Sequence, residues 1–377
     1  MKRAIFTLAL ALLFCTSMFA QSYSFKTVNC GDPNVPFTQL LGINNSDVIA
    51  GYHNFNQNMG FTLVLPNAFT PQNFPNSAMT QVIGINNKLT TDGFYVDNSG
   101  ITHGFFRTSN GTFQTVDYPG AATSTSFNQL LSQNDYYEAA GYYSNSINNT
   151  TPDIPYIYDE VGGVFKVLTI PGAVGGAQAT GINNSAVICG FFIDSNGINH
   201  GWLLNRGIFM PLDFPGSTGT QALGLNNHGQ VVGFYSDAGG ETHGYVYYIG
   251  TAKFVTVDAP NGVGTTIVNG INDAGKLVGF YGTAPVNVGF VATPVNAAAN
   301  GGVIGPDARG TQLSSVGSVE PPVVPPVAVE REIQPTSPIV VEPPVAPPVA
   351  VDHHVAPNTT RVVLDPPSDS PNAVNGR

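Results

Sequence analysis

From about Phe25 to Phe290 the chain is a succession of short apolar runs with polar punctuation. The runs are four to seven residues long and rich in β-branched and aromatic side chains. Thr220 to Leu225, Gln230 to Tyr235, Gly244 to Tyr248 and Phe254 to Asp258 are one consecutive set. Asn-Gly, Asp-x-x-Gly and Pro-Gly stand between them, the residues that close hairpins and turns. The pattern predicts strands. Gly, Asn, Ser and Thr abound where helices would want Ala, Leu, Glu and Lys.

The strands come in sets of four. Gly-Ile-Asn or Gly-Leu-Asn starts at Gly42, Gly84, Gly181, Gly224 and Gly270. Nine residues after each first glycine lies a glycine followed by an aromatic: Gly51-Tyr52, Gly93-Phe94, Gly190-Phe191, Gly233-Phe234 and Gly279-Phe280. The long gap between Gly84 and Gly181 hides one more copy. Gly141-Tyr142 supplies its second anchor, and counting back gives Ser132-Gln133-Asn134, with the Asn kept and the Gly-Ile lost. Six copies of about 45 residues, four strands each, fit six blades of a β-propeller.

The ends favour a closed ring. Phe25-Lys26-Thr27-Val28-Asn29 reads as a fourth strand but precedes the first copy, and the last copy has no fourth strand after Gly289-Phe290. A ring closed by the N-terminal strand explains both and removes open sheet edges. An open repeat-β form is the alternative. The expected fold is all-β, a six-bladed propeller over residues 21–299, with the first strand of each copy innermost.

Residues 1–20 read as a secretory leader: Met1-Lys2-Arg3, an apolar run from Ala4 to Phe14, and Ala20 before Gln21. That run is too short to span a bilayer, and no later segment is long and apolar enough to do so. A lipoprotein anchored at Cys15 is the alternative. The expected location is extracellular or periplasmic. Loss of Lys2 and Arg3 moves the net charge from −11 to −13, which argues against nucleic acid as a partner. Cys30 and Cys189 cannot form a disulfide framework, and the repeats place them in different units. Residues 300–377 carry a Pro/Val repeat, VEPPVVPPVAVE and then VEPPVAPPVAVD, expected to be extended or disordered.

His103-Gly104-Phe105, His200-Gly201-Trp202 and His243-Gly244-Tyr245 pair with elements such as Gly270-Ile271-Asn272-Asp273-Ala274-Gly275-Lys276-Leu277-Val278-Gly279. In this the chain resembles the HAF-repeat family of probable extracellular repeat proteins, over roughly residues 25 to 294. Gly stands here where that family has a small residue after the His. The His is absent from copies one, three and six, near Met59, Pro155 and Val288. The resemblance implies a secreted, propeller-like protein and brings no activity with it.

The candidate chemistry is thin. One His per copy at the same strand position spreads around a ring instead of converging on an ion, and reads as architecture. Two loop types should share one face: the loop with Asp97, Asp194 or Asp237, and the loop starting at Asp117, Asp213 or Asp258. Such an acidic face would suit Ca²⁺ or a sugar, although Asp and Gly also simply make turns. Asp194-Ser195-Asn196-Gly197 is shorter than a calcium loop and lacks its distal Glu. No cofactor is expected. His353-His354 offers a weak metal site in the tail.

Breaks in the repeat point more directly at function. Ser144 to Pro155 replaces the short turn of the third copy, and Pro66 to Pro75 distorts the first. Tyr142 and Tyr143 beside Asn148, Asn149 and Asp153 suit a glycan or protein ligand. With Asp97, Asp194 and Asp237 they form the candidate ligand-binding set. The chain has no Gly-x-Ser-x-Gly elbow, His-Glu-x-x-His or phosphate loop. The expected function is a monomeric secreted binding or surface-interaction module. The alternative is a polysaccharide hydrolase or lyase using acids such as Asp194 and Asp213.

Overall fold

A computed structural model describes residues 22–30, 37–54, 57–121, 123–146, 151–282 and 286–295. The leader, the Pro/Val tail, Asn148 and Asn149 lie outside them. The described residues form six four-stranded antiparallel sheets and no helix. Each sheet is one blade of a six-bladed β-propeller.

The six innermost strands are Thr38–Ile43, Met79–Ile85, Phe127–Gln133, Gly176–Ile182, Gly219–Leu225 and Thr266–Ile271. Each carries its motif at its C-terminal end, including the degenerate third copy. The sixth blade is completed by Ser22–Val28, which pairs along its whole length with Val288–Val295. The ring therefore closes as its ends predicted.

The two glycine anchors follow from close packing. A Cβ at Gly51, Gly93, Gly141, Gly190, Gly233 or Gly279 would strike the carbonyl oxygen of the inner-strand residue at Gln39, Gln81, Gln129, Gln178, Gln221 or Ile267 respectively. At the motif glycine the inner strands of neighbouring blades converge on the axis. A Cβ at Gly42 would lie 2.7 Å from the Ile83 carbonyl oxygen, and one at Gly270 would lie 2.7 Å from that of Leu41. Every inner strand also has a β-bulge just before the motif, as between Leu40 and Gly42, which turns an extra residue toward the channel.

The core lies mainly between blades. In five of the six blades the residue before the Gly-aromatic pair is apolar and packs against the next blade, as Ala50 does on Val82 and Tyr95, Cys189 on Ala222 and Val231, and Val278 on Leu40 and Phe61. Cys189 is fully buried and Cys30 half-buried, and both are free thiols. On one face, aromatics from the connections between blades stack on the following blade. Phe74 lies flat on Tyr95 at 3.7 Å, Tyr118 on Tyr143 at 3.9 Å and Phe214 on Tyr235 at 3.6 Å.

Candidate functional site

Two stacked rings of hydrogen bonds close one end of the channel. In the first, the motif asparagine of each blade donates its Nδ2–H to the backbone carbonyl of the next: Asn44 to Asn86 (3.1 Å), Asn86 to Asn134 (3.2 Å), Asn134 to Asn183 (3.2 Å), Asn183 to Asn226 (3.0 Å), Asn226 to Asn272 (3.0 Å) and Asn272 back to Asn44 (3.2 Å). Their Oδ1 atoms accept amides of their own turns, as Asn183 does from Ser185 and Val187. In the second ring, the following residue donates its backbone N–H to the side-chain oxygen of its neighbour. Asn45, Asn87, Asp135, Asn184, Asn227 and Asp273 complete that circuit at 2.8–2.9 Å.

Asp135 and Asp273 stand three blades apart. Each also accepts the Nδ2–H of both flanking asparagines. Partial desolvation raises their pKa, but these hydrogen bonds outweigh it and hold both carboxyls below the usual carboxylate range. This end is a dimple of about 70 Å³ whose polar atoms are occupied by one another. Its work is to bolt the blades together.

The other end is an open funnel of about 280 Å³. Its rim comes from the residue three places before each motif: Gln39, Gln81, Gln178 and Gln221 line it. Gln129 holds the same register in the third blade, and Ile267 takes the place in the sixth. Below lies an apolar belt that includes Leu41, Ile83, Leu131 and Leu223, broken by Thr180 and Asn269. The Oδ1 of Asn269 is shielded from solvent and has no hydrogen-bond partner. Tyr52 and Phe191 form aromatic wall. Among the described residues, no Asp, Glu, Lys, Arg or His lines the funnel.

The sequence-predicted residues fall around this funnel in different ways. Tyr142 and Tyr143 are buried in the third blade. The Tyr142 hydroxyl donates to Gln129 Oε1 at 2.9 Å, as Tyr52 does to Gln39 at 2.8 Å. Tyr143 is covered by Tyr118. Asp153 accepts from Gln178 Nε2 at 2.8 Å. Burial raises its pKa, with the Gln178 hydrogen bond opposing. Tyr142 and Asp153 thus orient rim amides from behind. The rim glutamines were missed, although their constant spacing from the motif is visible in the chain.

Asp97, Asp194 and Asp237 lie on the funnel face, as the strand order requires. Each caps its own turn: Asp97 Oδ1 accepts from the amides of Ser99 and Ile101, Asp194 from Asn196 and Ile198, and Asp237 from Gly239 and Glu241. These backbone bonds, foremost that of the residue four ahead, hold all three carboxyls below their ordinary range.

The repeated histidines join the two acidic loop types. His103, His200 and His243 place Nδ1 at 2.7, 3.0 and 2.8 Å from Asp117, Asp213 and Asp258. Their Nε2 atoms face Asp97, Asp194 and Asp237 at 3.7, 3.6 and 3.8 Å. Burial lowers the pKa of His200 and His243, but the hydrogen bonds and charges of the carboxylates prevail and raise it. His103 and His243 also stack on Tyr95 and Tyr235. In blades one and six the His position holds Met59 and Val288. In blade three it holds Ile154, one residue before Pro155.

No protein-family model matches the chain, and neither does any curated protein. Several solved structures are similar to it. TolB from Acinetobacter baumannii aligns at TM-score 0.46 and 12% identity over 59% of this chain, which spans about half (54%) of TolB. The six-bladed fucose-recognising lectin of Aleuria aurantia aligns at TM-score 0.44 and 10% identity, over 74% of this chain and 97% of the lectin. A nidogen/laminin complex aligns at TM-score 0.41 and 10% identity, over 59% of this chain and 81% of that one.

Proposed function

We propose that the protein is a secreted binding module that takes an uncharged, hydroxyl-rich ligand, a glycan end, in the funnel. The observation that carries this reading is the lining itself: amides above an apolar belt, aromatic wall, and no charge. Neutral amides both donate and accept, as a sugar hydroxyl does, and aromatic faces suit the C–H side of a sugar ring. A concave site of mainly apolar wall with a few oriented polar groups is the usual form of a small-ligand pocket. Tyr52, Tyr142 and Asp153 already fix three of the rim amides, which lowers the entropic cost of binding. The leader-like residues 1–20 and the HAF-repeat resemblance support secretion.

A glycan array with the full chain, followed by calorimetry on any hit, tests the reading. Changing Gln81→Leu and Gln221→Leu together is expected to weaken binding at least tenfold. Asn98→Ala, in an exposed turn away from the funnel lining, should leave it unchanged. A hit whose affinity ignores the glutamine changes would remove the funnel as its site.

A further inference from the structure

Blade five carries an acidic residue in a turn where its two His-bearing relatives have an apolar one. The turn is Asp97-Asn98-Ser99-Gly100-Ile101 in blade two and Asp194-Ser195-Asn196-Gly197-Ile198 in blade four. In blade five it is Asp237-Ala238-Gly239-Gly240-Glu241. A carboxylate thus replaces isoleucine, two residues before the histidine. Glu241 Oε2 stands 3.9 Å from His243 Nε2, and Asp237 Oδ2 stands 3.8 Å from it. One donor atom from each of Asp237, Glu241 and His243 lies within 4.8 Å of the others.

We propose that Asp237, Glu241 and His243 bind a divalent transition-metal ion of the zinc type on the funnel face of blade five. Three features beyond proximity point to this. The Nδ1 of His243 is engaged by Asp258 at 2.8 Å, the carboxylate–histidine arrangement that orients metal-bound imidazoles. On the other side of the ring, Nε2 faces the two carboxylates of Asp237 and Glu241. Neither carboxylate is within hydrogen-bonding distance of it. Zinc bonds of about 2.0–2.2 Å to N and O place tetrahedral ligand atoms about 3.4 Å apart. The two gaps to Nε2 exceed that spacing by a few tenths of an ångström, and the two carboxylates lie within 4.8 Å of each other.

The charge balance agrees. Asp237, Glu241 and Asp258 set three carboxylates around one imidazole, while blades two and four have two. A divalent cation compensates the excess. The Glu241 carboxyl lies beside Gly264, where an added Cβ would come within 3.2 Å of its Cδ. The amide of Thr242 ties the same turn to the Gly264 carbonyl at 2.9 Å. A mixed nitrogen and oxygen set suits zinc-like ions better than calcium, which prefers six to eight oxygens. Three protein ligands leave a coordination position for solvent or an outside oxygen.

Calorimetric titration of the full chain with Zn²⁺ alone tests the site, in a background of His353→Ala and His354→Ala that removes the tail pair. One ion per chain is expected. Glu241→Gln changes a side chain that is 63% exposed, so the fold should survive, and it is expected to weaken Zn²⁺ binding at least tenfold. His243→Gln should abolish it. His103→Gln and His200→Gln should leave both stoichiometry and affinity unchanged. No uptake by the parent chain, uptake that survives Glu241→Gln, or preference for Ca²⁺ over Zn²⁺ would each overturn the assignment.

Discussion

Asp92 sets a carboxyl at a position where the other five blades put an apolar side chain. It is fully buried, and neither carboxylate oxygen has a hydrogen-bond partner. Its counterparts in the other blades are Ala50, Ala140, Cys189, Val232 and Val278, all apolar and packed on the following blade. Burial raises its pKa from 3.8 to about 8, with its own backbone amide opposing weakly. The folded chain therefore keeps a proton that the unfolded chain loses above about pH 4. The contribution of this one group to stability is greatest in acid, falls as pH rises from about 4 to 8, and levels off beyond. By pH 7 this amounts to on the order of 4 kcal/mol. Asp92→Val places there the residue that blades five and six use. Its melting temperature at pH 7 should exceed that of the parent, and the difference should shrink toward pH 4. Thermal unfolding across pH 4 to 8 reads both; a variant no more stable than the parent at pH 7 contradicts the account. The residue was legible as a departure from the repeat. That both oxygens are orphaned was not, because it depends on what the neighbouring blade offers. In the same way Tyr142 and Tyr143 read as surface candidates in a loop-rich stretch; Tyr143 is covered by the connection that brings Tyr118 across it, and Tyr142 packs against Phe127 and bonds Gln129.

At the scale of the turn between first and second strands, the sequence carried more than it disclosed. The third copy loses Gly-Ile but keeps Asn134, and the ring shows why: each motif asparagine bonds to the next blade, and one missing member would break the circuit. The fourth residue of each turn takes a left-handed backbone, with φ from 54° at Ala186 to 75° at Gly275. Glycine fills this place in blades five and six, while Asp47, Leu89, Tyr137 and Ala186 accept the strain. The asparagine must therefore compensate within the turn as well as across it. Asn183→Ala removes one donation to Asn226 and two acceptances, from Ser185 and Val187, at a buried position. A loss of about 3 kcal/mol is expected, or roughly 6–12 °C in melting temperature. Asn183→Asp keeps the acceptances but turns a carboxylate oxygen toward the Asn226 carbonyl. It should be at least as unstable at pH 7 and recover partly as acid protonates it. Differential scanning calorimetry of both variants separates the two contributions, and an Asp variant as stable as the parent would show that the donation to the next blade matters little.

For the whole molecule, the question is whether six sheets in a ring behave as one body. In an open stack of repeats each unit rests only on its neighbours, and losing a terminal strand frays one end. In this ring the N-terminal strand Ser22–Val28 completes the sixth blade, so its loss acts where the first and last blades meet. Val28 packs with Leu40 of blade one and with Val278 and Val291 of blade six, and Phe25 lies 5.5 Å from Phe290. Deleting residues 22–28 leaves the strand Val288–Val295 as an unpaired edge beside exposed core, a surface that invites pairing with a second chain. The truncated protein is expected to melt at a lower temperature and to elute as a larger species than the parent by light-scattering chromatography. A synthetic peptide of residues 22–28 added in excess should restore the parent's elution, because the edge selects its register through seven paired positions. A truncated chain that elutes as the parent does, with an unchanged melting temperature, would mean that the closing strand is dispensable. The Asn rings at the other end of the channel would then hold the circle without help from the closing strand.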